Sequence, residues 1–454
     1  MAVLAEASEK PKNISISLYR AVWRWHFFAG LLVIPFMINL AVTGGLYLFK
    51  DEIDNTVFAY RNIVEPMGET LAPSVLAEHA KAAIPGSKIV RYRVPADPSH
   101  SVRVTVGTAT ENMLVFVNPY NGTVLDTVAV ENEFNRVVRT IHSLKYFGFV
   151  FNRIIEAVGG LALILVVTGF YLWWPRKQSG GVVSVRGTPS KRVFWRDLHA
   201  VTGASAGALI FFLAISGLPW SGYWGEQVNA TLASAGIGYP TQLWDDVPVS
   251  AEPTKNVVDH PGWTVENAPV PTSTPGTQDK SVTLDQIVAK ANEAGMTPSF
   301  EVSLPKGKKG VYTAAIFPDD IAFQRTIHYD RYTGKPLIDI KFSDYGIGGK
   351  TMEFGIGVHM GQYWGLANQI VMLLTCLAIV LTSVTAIVMW WKRRPSGRLG
   401  VPPMPSKTSV FVTLTIVILG FGIAFPLTGL VILAMLVIDQ LVTRIPSPLK
   451  RVFS

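Results

Sequence analysis

The sequence predicts an α-helical integral membrane bundle with four core spans in two parallel repeats, a C-terminal helical hairpin and two α+β domains outside the membrane. Three observations lead there. Hydrophobic residues make up 49% of the 454 and charged residues only 16%, against about 25% charged in an ordinary soluble domain. Apolar runs long enough to cross a bilayer alternate with short basic loops. The chain also repeats itself: "IHSLKYFG" at 141–148 is matched by "VHMGQYWG" at 358–365, each just ahead of a long apolar run.

Taken in order, a cytoplasmic tail (1–19) leads to a first span at 20–50 and an outer domain at 51–150. A second span follows at 151–175, a cytoplasmic loop at 176–198 and a third span at 199–220. The second outer domain takes 221–362, the fourth span 363–391 and another cytoplasmic loop 392–406. The last apolar run, 407–443, is too long for one span and is interrupted at Pro426. It predicts a hairpin, the alternative being one long kinked helix. The segment 176–196 carries Arg176, Lys177, Arg186, Lys191, Arg192 and Arg196 with no acid, and 392–407 carries five cations with none. These loops are therefore expected in the cytoplasm, with both termini. The first apolar core has no small-residue cleavage site after it and is expected to stay as an anchor.

The net charge of +8 sits in these loops, which points to membrane topology and away from nucleic acid. The single cysteine, Cys376, excludes an internal disulfide and an iron–sulfur cluster. The absence of C-x-x-C-H excludes covalent haem attachment.

In the outer segments, "APSVLAEHAKAAI" predicts a helix capped near Ser74, and "SVRVTVG" alternates as a strand. "MLVFVNPYNGTVL" predicts a hairpin turning at Asn121-Gly122. Further on, "TLDQIVAKANEAG" predicts a helix, "GVYTAAIF" a strand and "TIHYDRYTGKPL" strand–turn–strand. The Pro/Thr/Ser-rich stretch 250–280 predicts a loop or linker.

The repeat extends well past its opening motif. His142 precedes Thr168 by 26 residues, as His359 precedes Thr385, and the pairs Trp173-Trp174 and Trp390-Trp391 follow at equal spacing. His26 and His199 are each followed by glycine four residues on (Gly30, Gly203) and again at eighteen (Gly44, Gly217). Parallel copies imply a pseudo-two-fold axis along the membrane normal. Such an axis sets His26 against His199 near the cytoplasmic face and His142 against His359 near the outer face.

Two imidazoles from facing helices make a six-coordinate b-type haem site. Gly30 and Gly203 share a face with their histidines and leave room for a flat macrocycle, with Gly44 and Gly217 doing so at the outer end. Arg139 and Lys145 flank His142 and suit haem propionates. His142 lies about eleven residues before the unbroken part of its span, so its helix must extend outward or bend at Gly148. Two histidines with no paired carboxylate or cysteine under-fill a zinc or di-iron shell. His79, His100, His260 and His328 read as surface residues. The Trp pairs read as a membrane belt, Arg153–Glu156 as a self-compensating pair and Asp439 as interfacial. Thr43, Thr168, Ser216 and Thr385 read as bonding their own helix backbones.

"WHFFAGLLVIPFMINLAVTGGLYLFKDEID", "RTIHSLKYFG" leading to "TGFYLWWPRK", "FWRDLHAVTGASAGALIFFLAISG" and "VTAIVMWWKRRP" resemble the PepSY-associated transmembrane family over about 20–440. The resemblance implies two PepSY-type periplasmic domains over a helical bundle in the bacterial inner membrane. It also implies two haem b groups, ligated by His26 and His199 and by His142 and His359. Some members are inner-membrane siderophore reductases, so the implied activity is reduction of a periplasmic ferric siderophore or chelate. The sequence does not identify the electron donor, a quinol or a cytoplasmic reductase. Two other readings compete with this one. A regulatory protein whose PepSY-type domains restrain a protease would be colourless, and a permease for the iron chelate would carry a gallium analogue.

Overall fold

The structure, a computed structural model, describes residues 13–176, 180–238, 249–253, 269–271, 281–307, 309–402 and 408–444. Along the chain run α1 (Asn13–Leu48), α2 (Lys50–Thr56), α3 (Ala59–Asn62) and α4 (Pro73–Ala83), then β1 (Lys88–Arg93), β2 (Val102–Gly107), β3 (Asn112–Val117) and β4 (Val124–Ala129). Next come α5 (Phe134–His142), α6 (Phe149–Trp173), α7 (Arg192–Gly217) and α8 (Tyr223–Ser234), the short strands β5 (Val249–Pro253) and β6 (Pro269–Pro271), and α9 (Leu284–Glu293). The strands β7 (Glu301–Ser303), β8 (Tyr312–Ile316), β9 (Arg325–Tyr329) and β10 (Pro336–Lys341) follow. Last are α10 (Ile347–His359), α11 (Leu366–Arg393), α12 (Thr408–Ala424) and α13 (Pro426–Arg444). Two compact units result: one of residues 1–45, 141–226 and 371–454, the other of 46–140 and 227–370.

The first unit is helical. Among the described residues four helices are long and apolar enough to cross a membrane: Ser17–Leu48, Phe149–Trp173, Arg192–Trp220 and Leu366–Arg393. Their mean hydropathies of 1.9 to 2.6 leave one solvent in which they can be stable, a bilayer. The molecule is a multi-pass helical membrane protein.

The run after 407 is a hairpin, with no single kinked helix. Pro426 opens α13, where its missing N–H costs nothing. A Cβ on Gly422 would stand 2.6 Å from Gly429 Cα, so the two helices meet backbone to backbone at the turn. Phe411, early in α12, faces Met435 and Leu436, late in α13. At 17 and 19 residues the two helices are about 26 and 28 Å long.

The hairpin is fixed to the bundle by several contacts. A Cβ on Gly160 of α6 would overlap Thr428 Oγ1. Trp224 stacks on Phe425 at 5.5 Å and donates from Nε1 to the Ala424 carbonyl. Asp439, expected at an interface, pairs with the buried Arg24 of α1.

The expected Arg153–Glu156 pair does not form. Glu156, 3% exposed, accepts from the backbone N–H groups of Tyr223 and Trp224, the first turn of α8, where a carboxylate is favoured. Arg153 lies over the Phe149 ring at 4.7 Å. The Trp pairs divide their work in the same way in both repeats. Trp173 Nε1 donates to the Val182 carbonyl and Trp390 Nε1 to that of Leu399, each at 2.8 Å, pinning the basic loops. Trp174 and Trp391, 64% and 62% exposed, remain to face the surroundings.

In the second unit the sequence predicts two separate α+β domains, but the structure has one eight-stranded antiparallel sheet, ordered β10-β9-β8-β7-β1-β2-β3-β4. The halves join where Tyr92 of β1 pairs with Val302 of β7. Each half contributes one covering helix: Leu76, Ala77 and Ala80 from α4 and Ile287, Val288 and Ala291 from α9 enter a single core with Val104, Phe300 and Ile327.

Thr283 and Gln286 form a capping box on α9. Ser74 does not cap α4. Its N–H and hydroxyl donate to Asp285 at 2.7 and 2.6 Å, tying the two covering helices together. The β3–β4 connection is a six-residue loop with Gly122 at φ +73°, longer than a two-residue turn. Within 250–280, β5 and β6 pair, and the remainder of that expected linker lies outside the described residues. His328 is a core residue, 3% exposed with Nδ1 2.9 Å from Thr313 Oγ1, and burial pushes its pKa down to about 4. His79 is exposed, His100 bonds Asp97, and His260 lies outside the described residues.

Candidate functional site

His26 on α1 and His199 on α7 face each other, their ring centroids 6.4 Å apart and their planes at 89°. A metal–nitrogen bond of about 2 Å on each side, plus roughly 1 Å from each nitrogen to its ring centre, would put two imidazoles sharing one metal ion about 6 Å apart. The observed spacing would suit such a shared metal and exceeds a hydrogen-bonded contact. Among the described residues no three His, Cys, Asp or Glu converge on a point. The donor set is two imidazoles, which suits a metal whose remaining positions come from a macrocycle.

The ring orientations follow from hydrogen accounting. Thr168 Oγ1 donates its single hydrogen to the Ile164 carbonyl at 2.7 Å and lies 2.9 Å from His26 Nδ1. Toward the imidazole it can only accept, so Nδ1 carries the hydrogen. His199 Nδ1 meets the Thr382 carbonyl at 2.9 Å and Thr385 Oγ1 at 3.2 Å, and Thr385 donates to Leu381. Nδ1 is therefore the donor there too. Both neutral rings keep a bare lone pair on Nε2, which has no hydrogen-bond partner among the described residues. A ligating histidine is held in this way by its outer partner.

The glycines differ in what surrounds them. A Cβ on Gly30 would meet only Leu165 Cδ2 at 3.8 Å, and one on Gly203 only Thr382 Cγ2 at 3.9 Å. Both positions border open space, as a planar group beside the histidines requires. Gly169, beside Thr168, gives room to His26, whose Cε1 would be 3.4 Å from an added Cβ. Gly44 serves His142 in the same manner, with Cε1 at 3.4 Å and Cys376 Sγ at 3.8 Å. It is packed against an imidazole, where the sequence suggests a macrocycle. Gly217 closes α7.

His142 ends α5 and is held by α1. Thr43 Oγ1 donates to the Asn39 carbonyl and lies 2.9 Å from His142 Nδ1, while Asn39 donates to the Ile141 carbonyl. The chain does not run straight from His142 into α6. It turns through Leu144 at φ 55° and Gly148 at φ 103°, a value natural only to glycine. Asn152 then binds the Ser143 carbonyl. Seventeen residues from His26 to Thr43 place His142 about 26 Å along α1 from His26.

Arg139 lies one turn before His142 on α5 and Lys145 three residues after it, in the 3₁₀ turn. His359 ends α10 in the second unit, where Asn368 similarly binds the Val358 carbonyl and Gly361 and Gly365 take positive φ. Phe354, Tyr363 and Trp364 cluster edge to face beside this turn at 4.8 to 5.9 Å.

The threonines are the residues sequence reasoning missed. Thr43, Thr168 and Thr385 do bond their own helices, and the same oxygens also receive imidazoles. For Thr168 and Thr385 the signal was the common 26-residue spacing from an outer histidine to a threonine.

A family model described as the PepSY-associated TM region matches residues 23–393. No curated protein matches the chain.

Proposed function

Since the chain belongs to the PepSY-associated transmembrane family, we propose that it is a di-haem b electron-transfer protein of the bacterial inner membrane. In this reading it passes electrons from the His26/His199 end to the His142/His359 end and reduces a ferric chelate in the periplasm. The observation that carries the reading is the His26–His199 pair: 6.4 Å apart, each ring fixed with Nδ1 as donor and Nε2 open. Haem iron, when bound, supplies a one-electron ferric/ferrous couple.

The chain's own residues do the rest. Thr168, Thr382 and Thr385 set the tautomers and aim Nε2. Gly30 and Gly203 leave the flat space beside the rings. Thr43 holds His142, and Arg139 and Lys145 offer cations to carboxylates at that end. By the repeat, His359 is the partner of His142. Reduction frees iron because Fe(II) is a poorer match than Fe(III) for hard anionic oxygen ligands. The basic loops support a cytoplasmic location for the His26 end, and the sheet unit supports a periplasmic body for the chelate.

The test is an absorption spectrum of detergent-purified full-length protein from haem-replete cells, before and after dithionite. A Soret band and a sharpened α-band are expected, with two haems per chain. His26→Ala and His199→Ala should each bind one. Colourless wild-type protein, or full haem content in both variants, would overturn the reading.

A further inference from the structure

Between α1 and the hairpin is a notch of about 10 Å³, the room of one hydroxyl or one water. Its walls include the rings of Phe28 and Phe411 and the side chain of Leu436. Its polar atoms are Arg24, Trp25 and Asp439, with side chains or residues 4 to 10% exposed. Asp439 gives Oδ1 to Arg24 Nη2. Among the described residues its Oδ2, the Trp25 indole Nε1 and Arg24 Nε have no hydrogen-bond partner. Trp25 and Phe411 stack at 6.1 Å and 14°, and the Arg24 guanidinium lies 5.1 Å from the centre of the Phe28 ring. A carboxylate oxygen left open among aromatic rings is costly unless a ligand completes it.

We propose that this notch takes the hydroxyl of a lipid-soluble hydroquinone, which is the electron donor; the inference rests on the two-haem reading above. The donor set suits both redox states. The hydroquinone O–H donates to Asp439 Oδ2, and the quinone carbonyl accepts from Trp25 Nε1 and Arg24 Nε. The aromatic rim holds the ring, and the alkyl tail stays in the bilayer. Each hydroquinone gives up two electrons and two protons. The two electrons leave one at a time toward the His26/His199 pair, where a bound haem would supply the one-electron couple, and two ferric chelates would each take one electron and become Fe(II). The protons pass through Asp439 Oδ2 to solvent, one after the other, and quinone leaves. The hairpin thereby acquires a role, since Phe411, Leu436 and Asp439 lie beyond the family-matched region and complete a site that α1 begins.

The experiment uses haem-loaded full-length protein under anaerobic conditions with three probes. Dithionite reduces haem without the notch, decylubiquinol needs it, and 2-heptyl-4-hydroxyquinoline N-oxide reports occupancy by fluorescence quenching. Wild type should be reduced by both donors. Asp439→Asn and Trp25→Phe should keep the dithionite spectrum while reduction by decylubiquinol slows, and quenching affinity falls, by about tenfold or more, the loss of one hydrogen bond to a charged or buried partner. Trp25→Phe keeps the stacking on Phe411 and decides the matter if Asp439→Asn does not hold haem. Reduction of wild type by dithionite but not decylubiquinol overturns the donor and leaves the two-haem reading standing. So does unchanged behaviour of the variants, which would mean that the notch holds only a water. Failure with dithionite itself counts against the two-haem reading.

Discussion

The hydroxyl of Thr168 has one hydrogen, and the Ile164 carbonyl holds it. That small fact fixes the ring of His26, and it distinguishes the two members of the pair. Among the described residues His26 Nδ1 has only the Thr168 oxygen as acceptor, whereas His199 Nδ1 also has the Thr382 carbonyl at 2.9 Å. Thr168→Val keeps the shape and removes His26's sole acceptor. It should lower haem affinity at the His26/His199 site by about 10- to 100-fold, the usual effect of losing such a partner. Thr385→Val should change it only a few-fold, because the carbonyl remains. Haem titration of the two purified variants checks this, and equal losses would show that the hydroxyls fill space without orienting the rings. The histidines themselves could be found in the sequence because the repeat prints each of them twice. The second role of the threonines could not, since it depends on which helix faces which, and an own-helix bond is the ordinary habit of an intramembrane threonine.

At the scale of elements, the break at Pro426 was legible because proline forbids continuation and favours a first turn. What holds the hairpin was not. Arg24 and Asp439 are 415 positions apart, and nothing local announces their pairing. At the position two before each inner histidine the repeat puts opposite charges. Arg24 binds Asp439 of the hairpin, while Asp197, 1% exposed, binds Arg186 of the preceding loop and its neighbour Arg196. The hairpin thus breaks the symmetry of the two halves. Its close approach to α6 depends on Gly160, where an added methyl would overlap Thr428 Oγ1 and stand 3.0 Å from its Cβ. Gly160→Ala should force α13 away from α6 and destabilise the protein by about 1–3 kcal/mol. Adding Thr428→Gly, which transfers the space to the other helix, should recover part of that loss. Thermal unfolding in detergent measures both, and a double variant no more stable than Gly160→Ala would mean that the contact is not what that glycine protects.

At the scale of the whole molecule, the local elements of the sheet unit were readable one by one and their assembly was not. Alternation marks β2 and a capping box marks α9, but the edge on which β1 closes is decided by a strand more than 200 residues later in the chain, Tyr92 against Val302. Joining the halves removes two exposed strand edges that separate domains would carry and merges two small cores into one. Cooperativity should follow. Ile287, on the covering helix of the second half, is fully buried in a core that also holds Val104 and Val115 of the first half. Ile287→Ala should destabilise the unit by about 2–5 kcal/mol. Because the halves share that core, the loss should not stay local. Amide hydrogen exchange should speed up in β2 and β3 as well as in β8 and β9, with one common opening free energy for the central strands. Exchange accelerated only in β7–β10 would mean that each half opens alone, and that the β1–β7 seam joins two domains that remain independent, as their separate positions in the sequence suggest.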